Sequence, residues 1–168
     1  SIIAEINYLR NKYPDMEGLF FDEEVHNVKK SFILELTKSL RHNYCDSLKI
    51  DAMCEYYLLD EETMDKMRNS GYYKLRIGIE TASEIISERM NLKSKFNIPK
   101  LYKVLEYAKK IGLKMYGTFT IGGLGATAVE DLKTANMIYE LISRNLLNDI
   151  QVSINTPQPG TPFFKEAK

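Results

Sequence analysis

Apolar and polar residues alternate along four short stretches of the chain. In 74–80, Leu75, Ile77 and Ile79 alternate with Arg76, Gly78 and Glu80; in 114–122, Met115, Gly117, Phe119 and Ile121 alternate with Tyr116, Thr118 and Thr120. Residues 150–155 set Ile150, Val152 and Ile154 against Gln151, Ser153 and Asn155, and 48–52 set Leu48, Ile50 and Ala52 against Lys49 and Asp51. This period of two predicts β-strands. "GLFF" at 18–21, a short apolar run behind a glycine, predicts one more strand, a buried one.

The intervening segments carry helical spacing. Residues 2–13 put Ile2, Ile3, Ile6 and Leu9 on one face, and Pro14 stops the helix. Val25, Val28, Phe32, Leu36 and Leu40 predict a helix over 24–41. Asp60, followed by Glu61 and Glu62, reads as an N-cap, with the helix ending near Gly71. Thr81-Ala-Ser-Glu84 and Thr127-Ala-Val-Glu130 have the form of capping boxes. Between them, 98–111 has Pro99 in its first turn, an apolar face of Leu101, Val104, Leu105 and Ala108, and a stop at Gly112.

Strand starts lie 26 to 40 residues apart with helices between them and no tight hairpin turns, which argues for parallel pairing through right-handed crossovers. No linker, repeat or low-complexity segment divides the chain, so 1–168 reads as a single α/β domain. Each alternating strand has one apolar and one polar face. The apolar faces meet the helices. The polar faces need partners or water, because burying an unpaired polar group costs a few kcal/mol. A closed eight-stranded barrel fills its inner face with aliphatics. A polar inner face fits instead a partial barrel around a solvated, ligand-holding lumen; the alternative, a dry polar core, requires every member to be paired.

Composition narrows the function classes. With 23 acidic and 23 basic side chains the net charge is zero, which offers no electrostatic footprint for nucleic acid or a membrane surface. No run reaches the length of a membrane span, and the charged, amphipathic start is unlike a signal peptide. Two cysteines, Cys45 and Cys54, are too few for a disulfide framework and fit a reducing cytoplasm. They lie nine apart with no histidine pair nearby, so they read as small buried hydrophobes rather than metal ligands. His26 and His42 flank a helix and read as solvated.

In parallel α/β folds ligands sit at the carboxyl ends of the strands. Polar residues and glycines collect at those ends here: Asp22 and Glu23, Glu55, Glu80, Gly122 and Gly123, then Asn155 and Thr156. Carboxylates at separate strand ends can accept from an ammonium group or ribose hydroxyls. Asp22 reads equally as a helix N-cap. "IGGLGATAVED" loosely matches a dinucleotide-binding turn but lacks the acid expected at the end of the following strand, where Asn155 stands. Its glycines permit close approach to a flat ligand, or simply a tight turn. A nicotinamide- or flavin-dependent oxidoreductase built on that turn is the runner-up enzyme class. A non-catalytic ligand-binding remnant is the alternative outside the enzymes.

"FFDEE", "YYKLRIGIETAS", "AKKIGLKMYGTFTIGGLGAT" and "SINTPQPGTPFF" together resemble the radical S-adenosylmethionine (radical SAM) enzymes over essentially the whole chain. More narrowly they resemble the branch associated with cobalamin-binding domains, such as the anaerobic magnesium-protoporphyrin IX monomethyl ester oxidative cyclases. The resemblance implies a partial TIM-like (β/α)6 barrel, of which this chain would be five-sixths, lacking the first strand and the Cys-x3-Cys-x2-Cys loop that holds a [4Fe-4S] cluster. That spacing does not occur here, so the chain is expected to be a fragment, inactive by itself and with no metal ligands of its own.

Carried over from the family, Asp22 and Glu23 would bind the methionine ammonium of S-adenosylmethionine and Glu80 the ribose hydroxyls. Ile121 and Gly122 would lie against the adenine, and Asn155 and Thr156 would border adenine and substrate. The implied chemistry is reductive cleavage of S-adenosylmethionine to a 5′-deoxyadenosyl radical that abstracts hydrogen from a small organic substrate. It implies an electron-donor protein and, in this branch, cobalamin; oxidative cyclisation, methyl transfer and related oxidoreductions are the candidate reactions. Glu55, where many relatives have arginine, and Ala126, where many have an acid, depart from the family pattern.

Overall fold

Five strands pair in parallel in the order of the chain: Gly18–Phe21 (β1), Lys49–Cys54 (β2), Tyr72–Glu80 (β3), Lys114–Ile121 (β4) and Asp149–Ile154 (β5). The computed structural model describes residues 1–44, 47–92 and 95–166. Helices Ile2–Lys12 (α1), Lys30–Tyr44 (α2), Glu61–Arg68 (α3), Glu84–Arg89 (α4), Ile98–Lys110 (α5), Ala128–Ser143 (α6) and Pro162–Glu166 (α7) alternate with the strands. Each crossover steps one strand along in the same direction. Right-handed crossovers therefore deliver their helices to the same side of the sheet. Among the described residues the crossovers deliver no helix to the other side, which is the topology of a barrel segment rather than of a doubly wound sheet.

That asymmetry accounts for the alternation in the sequence. Leu75, Ile77, Met115 and Phe119 are buried, packed with Leu101, Leu105 and Ala108 of α5 and Leu36 and Leu40 of α2 in one core. Arg76, Gly78, Glu80, Tyr116, Thr118 and Thr120 occupy the opposite face and are only half-buried. The polar face is thus open toward solvent and not a dry core. β1 departs from expectation: no residue of it is fully buried, because it is an edge strand and its Phe20 lies on the helix-free side. β5, at the other edge, leaves Val152 and Ile154 exposed, while only Ile150 of its apolar face packs on the core.

Three local expectations are corrected. The helix expected over 24–41 begins at Lys30, because 24–29 is stitched onto β2 instead. The His26 amide donates to the Met53 carbonyl at 2.7 Å, and the Asn27 side chain both donates to the Glu55 carbonyl (2.9 Å) and accepts from the Glu55 amide (2.8 Å). Asp22 is consequently no N-cap: α2 starts eight residues later. In Thr81-Ala-Ser-Glu84 the cap of α4 is Ser83, whose Oγ accepts from the Ile86 amide. Thr81 Oγ1 instead lies 3.2 Å from Thr134 Oγ1 of α6, in a buried contact. Asp60, Asn97 and Thr127 cap α3, α5 and α6, the first and third as expected. Cys54 is buried; Cys45 lies outside the described residues.

Candidate functional site at the strand ends

The carboxyl ends of β2 and β3, with Thr118 from the middle of β4, line a cavity of ≈ 260 Å³. Glu80 and Thr118 present polar groups to it, Met53, Met90 and Phe96 give it apolar walls, and Glu24 reaches it from the segment after β1. Glu80 is the residue around which this site is built. Its backbone is left-handed, φ +64°, an uncommon conformation for a residue with a side chain and one that concentrates at functional sites. The carboxylate accepts from Thr120 Oγ1 at 2.7 Å and, more weakly, from Thr118 Oγ1 at 3.5 Å. Gly78 makes room for it, since a Cβ there would sit 2.8 Å from Glu80 Oε1.

Beside Glu80, Glu55 is paired with Lys95 (2.5 Å), which holds the segment after α4 down over β2. Tyr56 reinforces this, donating to the Lys95 carbonyl at 2.5 Å and accepting from the Asn97 amide at 2.9 Å. At the end of β1, Glu23 is half-exposed and accepts from the imidazole of His26. His26 is the clearest departure from expectation: its side chain is fully buried, stacked on Phe21 with ring centroids 4.7 Å apart, and its Nε2 lies 2.6 Å from the Tyr72 hydroxyl. Burial lowers the pKa of His26 against the opposing pull of Glu23, so the ring is read as neutral, Nδ1–H donating to the carboxylate and Nε2 accepting from Tyr72. His42, by contrast, is exposed as expected.

The seven residues expected at the site are thus not all gathered in one place. Glu80 lines the strand-end cavity, while Asp22 and Glu23 stand exposed at the end of β1. Asn155 and Thr156 line a second hollow, at the end of β5, that shares Met90 with the first. Ile121 and Gly122 stand between, with the Gly122 amide donating to both oxygens of Asp131 at 3.2 Å and the Asn155 amide to the Ile121 carbonyl at 2.8 Å. Sequence reasoning missed His26, Tyr72 and Asn27. The alternation of Leu75, Ile77 and Ile79 would put Tyr73, not Tyr72, on the apolar face, yet Tyr72 is the buried one, because the register of β3 on β2 shifts at this point; nothing local signals a histidine buried by a loop.

The glycine turn is explained by packing. A Cβ on Gly123 would meet Ile86 Cγ2 at 3.0 Å, and one on Gly125 would collide with Arg89, whose Nη1 donates to the Gly125 carbonyl at 2.7 Å. Thr127 already accepts from the Glu130 amide at the start of α6. The turn therefore receives α4 rather than a pyrophosphate, which removes the support for the dinucleotide reading. Among the described residues no group of three His, Cys, Asp or Glu is placed to hold a metal ion. Burial, with the nearby charges of Glu23, Asp51 and Glu55, pushes the Cys54 thiol far above its ordinary value, so it stays a protonated, inert side chain. These residues do not fit an iron-sulfur cluster; the strand-end carboxylates do fit a cationic, hydroxyl-bearing ligand. No described helix is long and apolar enough to cross a membrane.

Among solved structures, the radical S-adenosylmethionine methyltransferase TsrM of Kitasatospora setae, with cobalamin and a [4Fe-4S] cluster bound, superposes over 98% of this chain with a TM-score of 0.80 at 15% identity. Coproporphyrinogen III oxidase of Escherichia coli, a radical SAM enzyme, superposes over 85% with a TM-score of 0.70 at 18% identity. The fold is that of the radical SAM barrel. The likeness is one of fold, an open parallel sheet with crossover helices. A curated relative, cytidylyl-2-hydroxyethylphosphonate methyltransferase of Streptomyces wedmorensis, is 26% identical over 110 residues, 64% of this chain. The chain spans 20% of that relative and 30% and 32% of the two solved chains. No protein-family model matches it.

Proposed function

We propose that the chain forms the S-adenosylmethionine-binding wall of a radical SAM enzyme's barrel. The observation that carries this reading is Glu80: a strained, strand-end carboxylate held by Thr120 and aimed into a cavity with apolar walls, in a barrel of the radical SAM fold. In this reading Glu80 accepts from the ribose hydroxyls, and Asp22 and Glu23 accept from the methionine ammonium. Ile121 and Gly122 lie along the adenine, with Gly122 kept in place by Asp131, and Asn155 and Thr156 border adenine and substrate. When bound, S-adenosylmethionine and a [4Fe-4S] cluster supply the radical chemistry; the protein's part is to orient the nucleoside and exclude water.

Within that class, a methyl transfer is favoured over an oxidative cyclisation by two likenesses, the curated phosphonate methyltransferase and TsrM. The second of these also supports cobalamin as a further cofactor. A small organic molecule is the substrate, an electron-donor protein serves the cluster, and neither nucleic acid nor a membrane takes part; the compartment is the cytoplasm. The same barrel serves different reactions, so the substrate is set elsewhere than in the strand-end carboxylates.

The test is calorimetric titration of the full-length protein with S-adenosylmethionine, followed by an assay for 5′-deoxyadenosine after anaerobic reconstitution with iron, sulfide and a reductant. Saturable binding that Glu80→Gln weakens, together with 5′-deoxyadenosine release, is expected. Wild-type protein that does not bind the nucleoside would overturn the proposal.

A further inference from the structure

We infer that His26 is a positioning residue for Glu23, the outer member of a three-residue relay that starts at the buried hydroxyl of Tyr72. The inference rests on the reading that Glu23 meets the ammonium end of S-adenosylmethionine, and deepens it by assigning what holds that carboxylate in place. Glu23 lies on an exposed segment between β1 and α2, where a carboxylate would otherwise sample several rotamers. Its partner cannot wander. The His26 ring is fully buried, stacked on Phe21 within 19° of parallel, and tied by its far nitrogen to Tyr72, which has no exposed surface.

The chain of donors has only one consistent direction. The Tyr72 hydroxyl donates to Nε2, which leaves the proton of the neutral ring on Nδ1, where it donates to the Glu23 carboxylate. The backbone supports the same geometry, since the His26 amide is bonded to the Met53 carbonyl and Asn27 to both backbone groups of Glu55. Glu23 is therefore attached, through one ring, to the centre of the sheet. One of its oxygens is engaged, and the carboxylate keeps lone pairs for an incoming cation.

The test is binding of two probes to the full-length protein: S-adenosylmethionine, and 5′-methylthioadenosine, which shares the nucleoside and lacks the amino acid. His26→Leu combined with Tyr72→Phe removes the relay without leaving the phenol unpaired. This double variant is expected to weaken S-adenosylmethionine about tenfold and to leave 5′-methylthioadenosine unchanged. His26→Asn, whose amide can donate from near the Nδ1 position, is expected to restore most of the loss. In a Glu23→Gln background the double variant is expected to add nothing.

Equal weakening of both probes would show a merely structural role and overturn the inference. So would unchanged binding of S-adenosylmethionine to the double variant while Glu23→Gln alone weakens it. If the double variant does not fold, Tyr72→Phe decides: about a threefold loss confined to S-adenosylmethionine supports the relay, and no loss overturns it. Wild-type protein that binds neither probe overturns the functional reading and this inference with it; S-adenosylmethionine binding indifferent to Glu23→Gln overturns the inference while leaving the Glu80 site standing.

Discussion

The Arg76 guanidinium donates through both Nε and Nη2 to one oxygen, Oδ2, of Asp51, at 2.9 and 2.6 Å. It does so between two aromatic rings, 4.5 Å from the centroid of Phe20 and 5.1 Å from that of Tyr116. This is what an arginine in mid-strand is for. Four neighbouring strands contribute one side chain each to a polar plug on the helix-free face, below the strand-end cavity. The other Asp51 oxygen, Oδ1, is buried without a hydrogen-bond partner among the described residues, so the carboxylate depends on Arg76.

Arg76→Met is accordingly expected to cost about 2 kcal/mol, the value of stranding a largely buried charged acceptor. Arg76→Lys, which cannot form the fork and stacks poorly, should recover less than half of that. Adding Asp51→Leu to Arg76→Met should restore most of the stability, because an apolar pair needs no counter-ion. Urea denaturation midpoints report all three. A single-variant loss within 0.5 kcal/mol, a surface-like value, would show that the plug is solvated and structurally idle.

Asn27 is expected to behave as a structural residue of the segment after β1. It is buried and satisfies both backbone groups of Glu55. Asn27→Ala should cost about 2 kcal/mol by leaving that amide and carbonyl unpaired. Asn27→Asp retains the acceptor for the amide and loses the donor to the carbonyl, so it should be milder in denaturation. Both should raise hydrogen exchange at the His26 and Glu55 amides ahead of global unfolding.

The sheet was legible in the sequence and the segment after β1 was not, for the same physical reason. Alternation reports which face a strand residue occupies, and a sheet with helices on one side enforces it in β2, β3 and β4. Over 24–32, Val25, Val28 and Phe32 have helical spacing, yet Val28 and Phe32 are exposed and His26 and Asn27 are buried. Their placement is set by partners distant in the chain, Tyr72 and Glu55, that spacing cannot register. The cap at Ser83 was hidden similarly: Thr81 has the right chemistry, but Thr134 and the Ser83 amide occupy its hydroxyl. At the site, the strand-end rule singled out Glu80, which lines the cavity, but gave no measure of how far Asn155 and Thr156 lie to its side.

Backbone and side chain of Glu80 are expected to separate in two variants. Glu80→Ala and Glu80→Gly both remove the carboxylate and should weaken S-adenosylmethionine by a similar factor, about tenfold. Only the glycine relieves the left-handed backbone at φ +64°. The Gly variant should therefore be about 1 kcal/mol more stable than the Ala variant. Equal stabilities would mean that the residue carries no strain; unequal affinities would mean that backbone geometry, and not the carboxylate, forms the contact.

Asp60 gives a pH-dependent prediction. Its partial burial raises the pKa, but the Lys30 ammonium and the Thr63 amide outweigh that and bring the folded carboxyl from 3.8 down to about 2. A depressed folded pKa stabilises the native state fully above the unfolded value, and this contribution is lost as pH falls from about 4 through about 2. The ion pair is nearly half exposed on both sides, so solvent screening holds its worth below about 1 kcal/mol. Asp60→Asn keeps an oxygen to cap α3 and removes only the charge. The stability difference between wild type and variant should be constant between about pH 5 and 8 and shrink toward zero near pH 2. It should also fall in 1 M NaCl, where exposed pairs are screened. A difference that persists unchanged at pH 2 would assign the effect to the cap and not to Lys30.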